Sequence, residues 1–108
     1  MTVSIVIPVK NGEETLQMCL DSIARLHYAP GFDLILVDDG STDKTPEIMQ
    51  RFKDIHPSIK TQILLGGGVL GAGNAINIGW RASASDIIAV TNADCELLSN
   101  WLADIIKP

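Results

Sequence analysis

Three clusters of polar and acidic side chains, each directly following an apolar run, are the residues of this chain with the types and spacing to do chemistry. Pro8, Val9, Lys10 and Asn11 follow the first run, and Asp38, Asp39, Gly40 and Ser41 follow the second. Asn92, Ala93, Asp94, Cys95 and Glu96 follow the last. Carboxylate and amide oxygens are hard ligands of the kind that suit Mg2+ or Mn2+, and such an ion can bridge to a diphosphate. An Asp-Asp-Gly-Ser string after a strand also serves ordinary turn and helix-capping chemistry. Asn-Ala-Asp alone is equally unremarkable. It is the gathering of these clusters on one rim of a sheet that favours a binding site.

The elements that must position them alternate strand and helix. Val3 to Val9 reads as a first, β-branched strand, and Phe32 to Val37 as a second. Lys60 to Leu65 and Asp86 to Thr91 read as a third and a fourth. Asn11 followed by Glu14 resembles a capping box. Leu16, Cys19, Leu20, Ile23 and Leu26 then recur at helical spacing. Thr45-Pro46 is expected to supply an N-cap and an N1 proline for a helix reaching Ile55. Further helices are expected over 72–84 and 99–106. Four strands joined by helical crossovers imply an α/β fold, a parallel sheet with helices on both faces. Runs such as LILV and IIAV are apolar throughout, as strands covered on both sides must be. In such sheets ligands bind beyond the carboxyl ends of the strands, where the winding changes direction.

Composition narrows the function class. With 46% apolar and 19% charged residues in 108, the chain reads as one ordered domain. No apolar run is long enough to cross a bilayer, and the N-terminus has no signal-peptide pattern, because Ser4 to Val9 already reads as strand. Cys19 and Cys95 are too few and too distant in sequence for a disulfide scaffold or a zinc site, so both are read as reduced thiols in a cytoplasmic setting. A net charge of −5 argues against a nucleic-acid surface. It leaves phosphate ligands open, provided a cation or backbone donors offset their charge.

The strings SIVIPVKNGEETLQMCLDSI, DLILVDDGSTDKTPEI, GAGNAINIGW and DIIAVTNADCE, in this order and spacing, resemble the N-terminal half of family 2 glycosyltransferases. The resemblance spans essentially the whole chain, and Val-Asp-Asp-Gly-Ser-Thr-Asp is its most specific element. It implies the GT-A fold, a Rossmann-like three-layer αβα arrangement, with residues 1–108 as the half that binds a nucleotide-diphosphate sugar, usually a UDP-sugar. Pro8 and Val9 would then line the base pocket, Asp39 would accept a hydrogen bond from the base, and Asp38 would orient the loop or ribose. Asn92, Ala93 and Asp94 occupy the Asp-x-Asp motif, with Asp94 as ligand of Mn2+ or Mg2+ and Asn92 facing the ribose or sugar. Asn77, in Ala75-Ile76-Asn77-Ile78-Gly79, would contribute to donor binding.

Three positions depart from the family pattern: Lys10 stands where a base-stacking aromatic is often found, Ile76 where an arginine is, and Asn92 where the first acid of Asp-x-Asp is. The aliphatic stem of Lys10 can still cover a ring. The resemblance further implies a sugar or lipid-linked acceptor, a cytoplasmic location at the inner face of a membrane, and an acceptor-side base that no residue here can supply. An unpaired edge on the last strand would invite self-association.

Other signals have plainer readings. Gly66, Gly68 and Gly71 match Gly-x-Gly-x-x-Gly between a strand and a helix. They follow the third strand, however, so a loop approaching the donor is preferred over a dinucleotide fingerprint and an oxidoreductase. A non-catalytic nucleotide-binding or interaction module is the other alternative. Trp80 and Trp101 are expected in the core, Cys19 on the apolar face of its helix, and His27 and His56 at helix ends.

Overall fold

In the computed structural model, residues 2–28, 30–66 and 71–106 are described, without the side chains of 71–73. The elements are β1 (Val3–Val9), α1 (Leu16–Ala24), β2 (Asp33–Asp38), α2 (Thr45–Ile55), β3 (Lys60–Leu65), α3 (Gly71–Ala82), β4 (Ile87–Val90) and α4 (Trp101–Ile106). The sheet is parallel throughout and ordered β3-β2-β1-β4. Val9 lies opposite Asp38, and Asp38 opposite Leu65, so β1, β2 and β3 end level on one rim, while β4 stops at Val90, opposite Val6.

Alternation along β1 explains why its whole run is apolar. Val3, Ile5, Ile7 and Val9 face one layer, where they meet Leu34 and Leu36, the α1 stripe Leu16-Cys19-Leu20-Ile23, Ile48, Met49 and Phe52 of α2, and Leu102 of α4. Val6, Ile35 and Val37 face the other layer and meet Ala75, with Ile78 of α3 packed alongside. Helices thus cover both faces, the three-layer arrangement expected of GT-A. On the α3 side the approach is close: a Cβ on Gly79 would stand 2.5 Å from Val6 Cγ1.

Element boundaries differ from expectation at instructive places. Asn11 does not start a helix; it has φ 52°, in the left-handed region. α1 instead begins at Leu16 and ends at Ala24, leaving Leu26 outside the helix but still against the core. Thr45 is the first residue of α2 rather than its N-cap, and no side chain caps that helix from the N-cap position. Phe32 precedes β2 but packs on the core, and β4 is confined to Ile87–Val90. Asp86, just outside β4, accepts from Thr2 N at 3.1 Å and pins the start of β1.

Trp101 is partly buried on the core as expected, whereas Trp80 is 63% exposed. Helical spacing assigned Trp80 a face, but that face overhangs edge strand β4. With Ile76, Ile88 and Val90 it lines an open groove of about 420 Å³. His56 does sit at the end of α2, its ring 4.5 Å from that of Phe52. His27 lies beyond α1 and donates from its backbone to Ser99 O.

Candidate functional site

The loops after β1 and β2 are stitched together rather than merely adjacent. Asn11 N donates to Ser41 Oγ at 2.9 Å, and Thr42 N returns a bond to Asn11 Oδ1 at 2.8 Å. Gly12 N donates to Thr45 Oγ1 (2.9 Å), Glu13 N to Asp43 Oδ2 (3.1 Å), and Lys44 N to Glu13 Oε2 (3.3 Å). Asn11 tolerates positive φ as few side chains do, and its amide is the natural link. The Thr45 hydroxyl, unused for capping, is taken by Gly12. Because this N–H is part-buried, losing its acceptor leaves an unsatisfied donor. Thr45→Val is therefore expected to cost about 1–3 kcal/mol, read as a lower urea midpoint with unchanged slope.

Asp43 ties the same junction. Partial desolvation acts to raise its pKa, but bonds from the Thr45 hydroxyl, the Thr45 N–H and the Glu13 N–H outweigh it and hold the carboxyl below its usual value.

Behind this junction, Asp38 and Asp39 are both buried, each only 4% exposed. Asp38 Oδ1 accepts from Ser41 N at 3.0 Å, which closes the turn through Gly40 at φ 72°. Asp39 N donates to Val9 O (2.9 Å), and Gly66 N to Asp38 O (2.8 Å), so the β1 and β3 ends clasp this turn from both sides.

The loop after β4 completes the rim. Thr91 N donates to Val6 O, and Asn92 O accepts from Cys95 N (3.2 Å) to make a turn holding Ala93 and Asp94. A Cβ on Gly12 would lie 3.6 Å from Ala93 Cβ and 2.8 Å from Val9 Cγ1, which measures how closely this loop meets the β1 loop. Asn92 and Asp94 are exposed. From α1, Ser22 Oγ accepts from Leu97 N at 2.9 Å, and Cys19 Sγ donates to Asn92 O at 3.5 Å.

Burial pushes the Cys19 thiol up to about 11, reinforced by the proximity of Cys95. A thiol whose folded pKa is raised stabilises the fold fully below its ordinary value of 9.0 and loses that contribution as pH climbs toward 11. Stability is expected to fall between those limits, and more shallowly in Cys19→Ala, as denaturation midpoints at pH 7, 9 and 10.5 would show.

Of the residues expected from sequence, Pro8, Val9, Lys10, Asp38, Asp39, Asn92 and Asp94 follow or end the strands on this one rim. They flank the switch point between β1 and β4. Asn77 is exposed midway along α3, in the opposite layer from α1, and none of the bonds above ties it to the rim. Ile76, in the arginine position, points into the Trp80 groove. Gly66 follows edge strand β3 and Gly71 opens α3; Gly68 falls outside the described residues. Among the described residues no three His, Cys, Asp or Glu side chains converge as a metal cage.

The model of the family described as Glycosyl transferase family 2 matches residues 4–108. The chain belongs to glycosyl transferase family 2. Within the family's relatives, glycosyltransferase AglE of Haloferax volcanii is 33% identical over 101 residues, covering 93% of this chain and 33% of AglE. The structure of the mannosyltransferase PcManGT from Pyrobaculum calidifontis, in complex with GDP-Man and Mn2+, is 28% identical with a TM-score of 0.84. That match covers 94% of this chain and 32% of PcManGT. Glucosyl-3-phosphoglycerate synthase from Mycobacterium tuberculosis, in complex with Mn2+, UDP and glucosyl-3-phosphoglycerate, is 27% identical with a TM-score of 0.70 over 91% of this chain and 34% of that one. This family 2 chain spans about a third of the length of these relatives.

Proposed function

We propose that residues 1–108 form the nucleotide-sugar-binding half of a glycosyltransferase that moves a sugar from a nucleotide-diphosphate donor to an acceptor hydroxyl. One observation carries this reading. The loops after β1, β2 and β4 meet across the switch point, with two buried carboxylates on one side and an exposed one on the other.

In this reading Pro8 and Val9 line the base pocket through their backbone, and the Lys10 stem lies along the ring. Asp39, fixed by its bond to Val9, accepts from a base N–H, and Asp38 holds the turn that presents it. Asn92 faces the ribose or sugar, and Asn77 reaches the donor from α3. Asp94 is the protein's ligand for Mn2+ or Mg2+. A single exposed carboxylate beside an amide fits an ion that takes its remaining oxygens from the diphosphate and water. That ion would offset the negative charge developing on the departing nucleotide diphosphate. Asp39 is held by its bond to β1, and the turn carrying Asp94 by the bonds of its loop to β1 and α1, so base and diphosphate would be held together. The presence of Mn2+ beside a nucleotide or nucleotide-sugar in the two solved relatives supports this assignment.

The acceptor, a sugar or lipid-linked hydroxyl, and its activating base belong to residues outside these 108, so the isolated chain binds donor and transfers little. The reading places it in the cytoplasm, at the inner face of a membrane. No helix among the described residues is long and apolar enough to cross one. The open β4 edge supports self-association of the isolated chain.

Calorimetric titration tests the proposal. UDP is expected to bind, more tightly with Mn2+ than without, while NADH does not bind. Absence of UDP binding, or UDP binding indifferent to Asp39→Ala, would sink it. Ile76 and Asn92, standing in the arginine and first-acid positions of the family pattern, favour a second reading, a non-catalytic nucleotide-binding module. In that case UDP would bind equally well with and without Mn2+.

A further inference from the structure

We propose that Cys19 and Cys95 form a reversible disulfide that fastens the turn carrying Asp94 to α1. The two residues are 76 positions apart by number but converge on one atom. Cys19 Sγ and Cys95 N both donate to Asn92 O, at 3.5 and 3.2 Å. Both groups meet on one carbonyl oxygen, so the two residues are neighbours, and rotation of the Cys95 side chain is the movement that brings sulfur toward sulfur. At rest the Cys95 thiol is turned toward Asp94 Oδ1, at 3.7 Å, a weak contact that rotation gives up at little cost.

The surroundings already hold the two elements in register. Leu97 N donates to Ser22 Oγ at 2.9 Å, and that hydroxyl donates to Cys19 O at 2.6 Å. α1 and the stretch following the turn are therefore tied three residues beyond Cys19 and two beyond Cys95. Exposure sets the order of reaction: Cys95 is half-buried and Cys19 fully buried. With oxidised glutathione as oxidant, the Cys95 sulfur attacks one glutathione sulfur. A mixed disulfide forms and one glutathione leaves with the proton. The Cys19 sulfur then attacks Cys95 Sγ, forming the protein disulfide and releasing the second glutathione with the second proton. Two thiols are oxidised and one disulfide is reduced.

This modification needs no nucleotide, so its test is independent of the glycosyl-transfer reading. The native chain is incubated with oxidised glutathione, trapped by alkylation and weighed intact. The expected product has lost two hydrogens, resists alkylation at both cysteines, melts at a higher temperature and reverts with dithiothreitol. In Cys19→Ser the reaction is expected to stop with glutathione retained on Cys95. The proposal is overturned if the wild-type chain keeps glutathione on Cys95, if both thiols stay open to alkylation, or if the bond joins two chains instead.

Discussion

Asp94→Ala is expected to lower UDP affinity in Mn2+ by about 10–100-fold while leaving the affinity measured in EDTA unchanged. Losing even a supporting residue of a metal site costs that much, and in the proposed site Asp94 would be the protein's carboxylate ligand, with no cluster of three His, Cys, Asp or Glu among the described residues to hold the ion without it. The effect concentrates in the metal-dependent part because Asp94 is exposed and takes no part in the bonds joining the β1 and β2 loops. The fold should be untouched, so the melting temperature of the variant serves as control. Asp94→Asn retains an oxygen but not the charge and should fall between. An equal loss of affinity in Mn2+ and in EDTA would move Asp94 from the metal to the nucleotide.

Gly79→Ala is expected to destabilise the fold by about 1–3 kcal/mol through overpacking. The added methyl would stand 2.5 Å from Val6 Cγ1, 3.3 Å from Val6 Cγ2 and 3.4 Å from Val37 Cγ2. Neither valine can give way easily. Val6 and Val37 are fully buried in the central strands, and their β-branched side chains have few rotamers. The helix must therefore move outward, although alanine is the better helix former. A domain of this size should melt lower by roughly 4–8 °C for each kcal/mol lost. An unchanged or raised melting temperature would mean that α3 slides on the sheet and is not locked to it. Val6→Ala should then restore much of the loss in the double variant, because it removes the two nearest atoms.

Most of the architecture follows from periodicity. β3 occupies Lys60–Leu65, the bounds expected from the sequence, and the polar strings after β1, β2 and β4 do share one rim. What pattern could not show were roles that depend on a partner far along the chain. Asn11 looks like a cap until Thr42 takes its amide oxygen, and Thr45 looks like a cap until Gly12 takes its hydroxyl. A signal for the network was nonetheless present. β1 and β2 pair in parallel, Val9 opposite Asp38, and the bonds between their loops join residues 30 to 33 positions apart. Sliding Asn-Gly-Glu by that offset lands on Ser-Thr-Asp-Lys-Thr. Trp80 and Ile76 exposed a different limit, because a helical stripe says which way a side chain faces but not whether anything stands opposite it.

The place of β1 in the sheet has a consequence in time. Of the described strands β1 is translated before the others, yet it lies inside the sheet, and its second neighbour closes only when residues such as Asp86, 84 positions from Thr2, have been made. At ordinary translation rates of about 5–20 residues per second, that wait lasts roughly 4–17 s. Throughout it, one hydrogen-bonding side of an almost wholly apolar strand has no partner. β2, α2 and α3 can already be assembling on the nascent chain during the interval. The half-built sheet is therefore the species most open to chaperone capture or to pairing with a neighbour on the same polysome, and β4 is the strand that ends its vulnerability.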